Sequence, residues 1–92
     1  MNNGLVENII IGKPLVELKE LGITEKEKTV YENDEIFIPK ILKKYGFFKS
    51  TSQVKKNRPD LWRELKEYET LELKIGHKRL FIIKGKLKTK VL

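Results

Sequence analysis

A small α+β domain, with a central helical cluster and a C-terminal β-hairpin, is the fold class this sequence predicts. Three observations predict it. Residues Leu71–Ile75 alternate apolar and polar, as a half-buried strand does, and a second apolar stretch, Leu80–Lys84, follows the turn-forming Gly76-His77-Lys78-Arg79. Two short lysine-rich segments meet at Gly46, and the first carries apolar residues at helical spacing. A length of 92 residues with no visible repeat or low-complexity linker suits one domain, 1–92, with a modest core.

Residues Leu5–Ile11 form a short apolar run ending at Gly12 and read as a weak strand. Pro14 suits the first turn of a helix that carries Leu15, Leu18 and Leu21 and stops at Gly22. Thr24 and Glu27 have capping-box spacing, but no apolar periodicity follows them. Two short strands, Thr29–Tyr31 and Glu35–Ile38, are expected next, joined by Glu32-Asn33-Asp34, where Asn and Asp favour a turn. Residues 1–37 thus make a divergent N-terminal region.

The segment 38–84 carries the pattern. Pro39 starts a helix whose buried face is Ile41, Leu42 and Tyr45, with Lys40, Lys43 and Lys44 turned elsewhere. Gly46 ends it in a tight interhelical turn that calls for positive φ. Phe47 and Phe48 enter the core or cover the junction. Ser50 or Thr51 caps a second helix anchored by Val54, and Lys55, Lys56 and Arg58 follow. Pro59 starts a third helix with Leu61, Leu65 and Tyr68 at i, i+4, i+7 and Trp62 on the same side. After the hairpin, the basic stretch 85–92 reads as a frayed tail.

Composition narrows the function. The net charge is +7, from 20 Lys and Arg against 13 Asp and Glu. Such an excess draws polyanions: nucleic acid first, then an acidic protein surface, then an anionic membrane. There is no cysteine, which excludes disulfides and thiolate metal sites, and the lone His77 cannot build a histidine metal site by itself. No nucleophile–base pair, phosphate loop or metal spacing is present, so neither an enzyme nor a cofactor is expected. No apolar run approaches the length of a membrane span, and Met1–Lys13 lacks the basic start of a secretory signal, so a cytoplasmic protein without a membrane partner is expected.

Two helix-pair motifs compete for residues 38–57. A DNA-binding helix-turn-helix needs apolar residues at set positions of the second helix. Counted from Gly46, these fall on Ser52 and Lys55, whereas the apolar residue is Val54. A winged variant stays open because a basic hairpin follows. The run Gly46-Phe47-Phe48-Lys49-Ser50-Thr51-Ser52-Gln53-Val54 resembles the S-four RNA-binding domain. That pattern is an apolar helix, Gly, an apolar residue, two variable residues, Ser, a basic residue, Ser, a variable residue and a small apolar one. Gly46, Phe47, Ser50, Ser52 and Val54 occupy the corresponding places, Ile38 and Leu42 suit the preceding helix, and Leu73–Ile83 resembles the closing strand pair. Thr51 stands where the family has a basic residue, and Asn57–Leu65 replaces its Gly-x-Val-x-Val-Asn-Gly strand.

The resemblance implies RNA held along the helix pair and the adjacent loop. The candidate contacts are Lys43, Lys44, Lys49, Ser50, Thr51, Ser52, Gln53, Lys55, Lys56 and Arg58, with Lys78 and Arg79 from the hairpin turn. Lysines and hydroxyls of this kind hold a phosphate backbone and do not read bases. The expected function is a non-catalytic nucleic-acid-binding module, RNA ahead of DNA. The alternatives are a small phage-type or accessory protein docking on an acidic partner, anchored by Phe47, Phe48 or Trp62, and a winged-helix DNA binder. The same lysines also suit a solvated face, Ser50–Ser52 also suit helix capping, Trp62 suits a core or core-edge anchor ahead of a base-stacking platform, and His77 suits an exposed turn.

Overall fold

The computed structural model describes residues 6–14 and 16–87. They form β1 (Asn8–Ile11), a 3₁₀-helix (Leu18–Leu21), β2 (Thr29–Glu32), α1 (Ile38–Lys44), α2 (Thr51–Asn57), a second 3₁₀-helix (Pro59–Leu61), β3 (Thr70–Ile75) and β4 (Lys78–Lys84). The class is α+β: two short α-helices and one mixed sheet in the order β2-β1-β4-β3. β1 runs parallel to both β2 and β4, and β3 and β4 are antiparallel. No helix among the described residues is long and apolar enough to cross a membrane.

The weak strand of the sequence is the centre of the sheet. All four residues of β1 are buried, as expected of a strand paired in parallel on both sides and covered on both faces; three are isoleucine, and the fourth, Asn8, donates its amide to Glu27 and Thr29. Leu5 lies outside the described residues. Alternation along the strands divides the core. Ile9 and Ile11 of β1, Leu73 of β3, and Leu80 and Ile82 of β4 pack against Ile38, Ile41 and Leu42 of α1 and Val54 of α2. Ile10 and Ile83 point to the other face and meet Ile23 and Leu18. That second cluster is small, and it explains why the helix expected from Pro14 shrinks to the single turn Leu18–Leu21: Leu21 is exposed, and Ile23 N bonds back to the Leu18 carbonyl. Leu15 of that expected helix lies outside the described residues.

Two further expectations are corrected. Glu35–Ile38 is not a strand. β2 takes β1 as its parallel partner instead of forming a hairpin, and Ile38 already begins α1 with Pro39 at its second position, where a fixed φ suits a helix start. Nor is there a third α-helix. After the turn Pro59–Leu61 the chain extends: Ile38 N bonds to the Arg63 carbonyl, Leu65 N to the Ile36 carbonyl, and Phe37 bridges Glu64. Backbone pairing with residues 36–38 outcompetes the helical spacing of Leu61 and Leu65, which are buried from this extended path all the same, while Tyr68 is exposed with φ 58°.

The helix pair and the hairpin form at the expected places. Gly46 follows α1 with φ 82°, a conformation that favours glycine. Ser50 is the N-cap of α2, its Oγ accepting from Gln53 N at 3.2 Å. The hairpin turn is tighter than expected. Ile75 pairs with Lys78 and Lys74 with Arg79, so the loop is Gly76-His77 and the two basic residues belong to β4. The frayed tail is also corrected at its start: Gly85 N bonds to the Ile11 carbonyl, and Lys86 and Lys13 exchange backbone hydrogen bonds. Residues 88–92 lie outside the described residues.

Val54 is the sole buried residue of α2 and fully buried. Val54→Ala is expected to cost on the order of 1–2 kcal/mol, read as a fall in the urea midpoint. Lys56→Ala on the exposed side of the same helix should leave the midpoint unchanged. Equal shifts would mean that α2 is not anchored through Val54.

Candidate nucleic-acid interface

α1 and α2 cover one face of the sheet because only one face of each is apolar. Their outward residues are Lys40, Lys43 and Lys44 on α1 and Ser52, Lys55 and Lys56 on α2, all exposed, with exposed Lys49 in the connection. Lysines concentrate here while the rest of the surface is more mixed. Residues 1–37 carry four Lys against eight Asp and Glu, and residues 38–92 carry 16 Lys and Arg against five. The charge excess therefore belongs to the half of the chain that builds the helices and the hairpin.

Ion pairs sort the candidates further. Lys44 Nζ lies 2.7 Å from Glu32 Oε2, which also accepts from the Tyr45 hydroxyl. Burial raises the Glu32 carboxyl, but the Lys44 and Tyr45 hydrogen bonds outweigh it and hold the group below its ordinary value. Burial and the same carboxylate push Tyr45 up to about 12. Lys44 thus closes α1 onto β2. The Arg58 guanidinium grips Asp60 at 3.2 and 3.0 Å and reaches the Lys74 carbonyl at 3.4 Å, which sets the end of the hairpin beside the C-terminus of α2. Among the described residues, Lys43, Lys49, Lys55, Lys56 and Lys78 have no carboxylate within ion-pair distance.

The hydroxyl-rich cap is largely committed to the helix itself. Ser50 Oγ accepts from Gln53 N, and Gln53 Oε1 accepts from Lys49 N at 3.1 Å. Capping is the role this geometry gives Ser50 and Gln53. Thr51 is half-buried and Ser52 exposed.

Strand alternation separates the two hairpin residues. Lys78 shares a face of β4 with Leu80 and Ile82, the helix side. Arg79 shares the opposite face with Phe81 and Ile83, and its Nε lies 3.0 Å from Glu72 Oε2. Arg79 thus stands behind the sheet, apart from the helix pair, at a groove of about 430 Å³ that Glu7, Glu27, Thr70 and Phe81 also line. The buried Asn8 forms part of that wall, donating to Glu27 Oε1 at 2.9 Å and Thr29 Oγ1 at 3.2 Å, with its own oxygen sealed from solvent.

Trp62 lies at the core edge, one of the places the sequence allowed it, but not on an α-helix beside Leu61 and Leu65. It is not packed in the core but 38% exposed at the end of the second 3₁₀-helix, edge to face with Phe37 (centroids 5.1 Å, interplanar angle 82°) and with Lys55 Nζ 5.4 Å from its ring centroid. No local signal marked this, because Pro59 suits a helix start and the extended path comes from the distant pairing of residues 63–65 with residues 36–38. Phe47 and Phe48 are half-buried against the core and not displayed as anchors.

No protein family, curated protein or solved structure matches the chain.

Proposed function

We propose that this chain is a non-catalytic nucleic-acid-binding module that prefers RNA and holds its phosphate backbone on the outer surface of the helix pair. The observation that carries this reading is the set Lys43, Lys49, Lys55 and Lys56, exposed and without carboxylate partners on two adjoining helices and their connection. Cations already neutralised by a carboxylate add little attraction for phosphate, whereas unpaired lysines release the counterions condensed on a nucleic acid. The resemblance to the S-four RNA-binding domain puts RNA on this same surface. Shape recognition of a structured RNA suits side chains that reach phosphates more readily than base edges. The winged-helix reading is weaker, since only Lys78 of the hairpin pair shares the helix side.

If four phosphates are neutralised, log K against log salt concentration falls with a slope of about −3 to −4. Replacing Lys55 and Lys56 with Ala flattens the slope by roughly two and weakens different sequences equally. The same double change at Lys19 and Lys26, in the acidic N-terminal half, should do much less. Equal losses from both pairs would mean diffuse charge and no defined site.

A second reading rests on a specific feature. Val16, Leu21 and Tyr31 are exposed, Tyr31 at 62%, on the side of the molecule away from the helices. Such residues serve a protein partner better than a nucleic acid. Absence of binding to structured RNA, single strands and duplex DNA at low salt would make that partner the better reading.

A further inference from the structure

We infer that Trp62 is a stacking platform for an unpaired nucleobase, so that the ligand of the helix-pair surface is a nucleic acid with a bulge, loop or single-stranded segment. The inference rests on the proposed nucleic-acid reading and deepens it. A tryptophan on a small domain usually spends its large apolar surface in the core. This one is held at the surface instead. Phe37 meets it edge to face, and the short turn Pro59–Leu61 together with the extended pairing of residues 63–65 fixes the backbone beneath it. The ring is thus oriented before any ligand arrives.

Its neighbours suit a nucleotide. Lys55 Nζ lies over the ring, a cation–π contact that a base competes for. On stacking, the ammonium leaves the ring for the phosphate of the same nucleotide, so the positive charge keeps a partner. Lys56 is exposed on the following position of α2, and Arg58 is already neutralised by Asp60. An aromatic plane beside an unpaired lysine is an arrangement with which proteins hold single-stranded nucleic acids, and it tolerates any base because every base has a π-face. A continuous duplex offers no such face, since its bases are stacked on one another.

Trp62 is the one tryptophan of the chain, so intrinsic fluorescence reports this position alone. The full chain would be titrated at low salt with three probes of matched charge: an RNA hairpin with a single-stranded bulge, an uninterrupted RNA duplex and inorganic polyphosphate. Binding would be followed in parallel by competition against a labelled RNA. The bulged RNA should quench Trp62, while duplex and polyphosphate bind through the lysines with little quenching. Trp62→Leu should weaken the bulged RNA by about tenfold and leave the duplex unchanged, and Trp62→Phe should restore most of the loss. Equal effects of Trp62→Leu on bulged and duplex RNA, or equal quenching by polyphosphate, would overturn the stacking role while leaving the phosphate-binding surface standing. Binding of none of the three probes would overturn both.

Discussion

Gly85→Ala is expected to destabilise the fold by about 3 kcal/mol, the largest loss anticipated from any single methyl added to this chain. At the ends of β1 and β4 the two strands leave the sheet together, and their backbones nearly touch. A Cβ on Gly85 would stand 2.1 Å from the Lys13 carbonyl oxygen, 2.4 Å from its carbon and 2.7 Å from Pro14 N. Each of these is a main-chain atom. None can yield without breaking the bonds that hold the crossing: Gly85 N to the Ile11 carbonyl at 2.7 Å, Lys13 N to the Lys86 carbonyl at 2.8 Å and Lys86 N to the Lys13 carbonyl at 2.7 Å. Gly12 sits across from it, where an added Cβ would lie 2.5 Å from the Lys86 carbonyl oxygen. Gly46→Ala is the control. It has a positive φ but open space around the Cβ position, so it should lose only about 1–2 kcal/mol, the cost of a left-handed conformation. Urea midpoints separate the two. A Gly85→Ala midpoint no lower than that of Gly46→Ala would mean that the strand ends are not crossed as described.

That crossing was invisible in the sequence, and the reason is general to this chain. Features set by neighbours in sequence were legible: the Gly46 turn, the Ser50 cap, the α1 face of Ile41 and Leu42, the Val54 anchor and the Leu71–Lys84 hairpin all follow from residues within a few positions of one another. Features set by distant pairing were not. Nothing in Asn8–Ile11 announces parallel partners at Thr29–Glu32 and Phe81–Lys84, so a central strand read as a weak one. The same holds for the surface. The lysine-rich helix pair could be read directly, but Lys44 loses its freedom to Glu32, twelve residues back, and Arg79 is carried behind the sheet by strand alternation once the turn closes at Gly76-His77. The charge division between the two halves of the chain was legible and would have sharpened the reading: the acidic excess lies before residue 38.

The stretch 62–69 shows the competition at its clearest, and it leads to a pH-dependent outcome. Helical spacing of Leu61, Leu65 and Tyr68 loses to a path held by Glu69. The Glu69 carboxylate accepts from Arg63 Nη1 at 3.0 Å, Arg63 Nη2 at 2.6 Å and Lys66 N at 2.8 Å, and its backbone carbonyl accepts from Lys84 N. Its side chain is 17% exposed. The Arg63 hydrogen bonds, opposed by burial and helped by Lys66 N, bring the Glu69 carboxyl from its ordinary 4.5 down to about 2. A carboxyl whose folded value is depressed binds fewer protons when folded, so it contributes stability above its unfolded value and loses it as pH falls. The contribution should be full above about pH 5 and should fade between the ordinary 4.5 and about 2. Glu69→Gln keeps the shape but not the charge. It should cost about 2 kcal/mol at pH 7, with Arg63 left facing a neutral amide in the loop that positions Trp62. Urea unfolding of both proteins from pH 7 to pH 2.5 measures the difference directly. The gap between them should stay constant down to about pH 5 and narrow below it. A gap that is unchanged at pH 2.5, or absent at pH 7, would mean that backbone pairing of residues 63–65 alone holds this segment out of a helix.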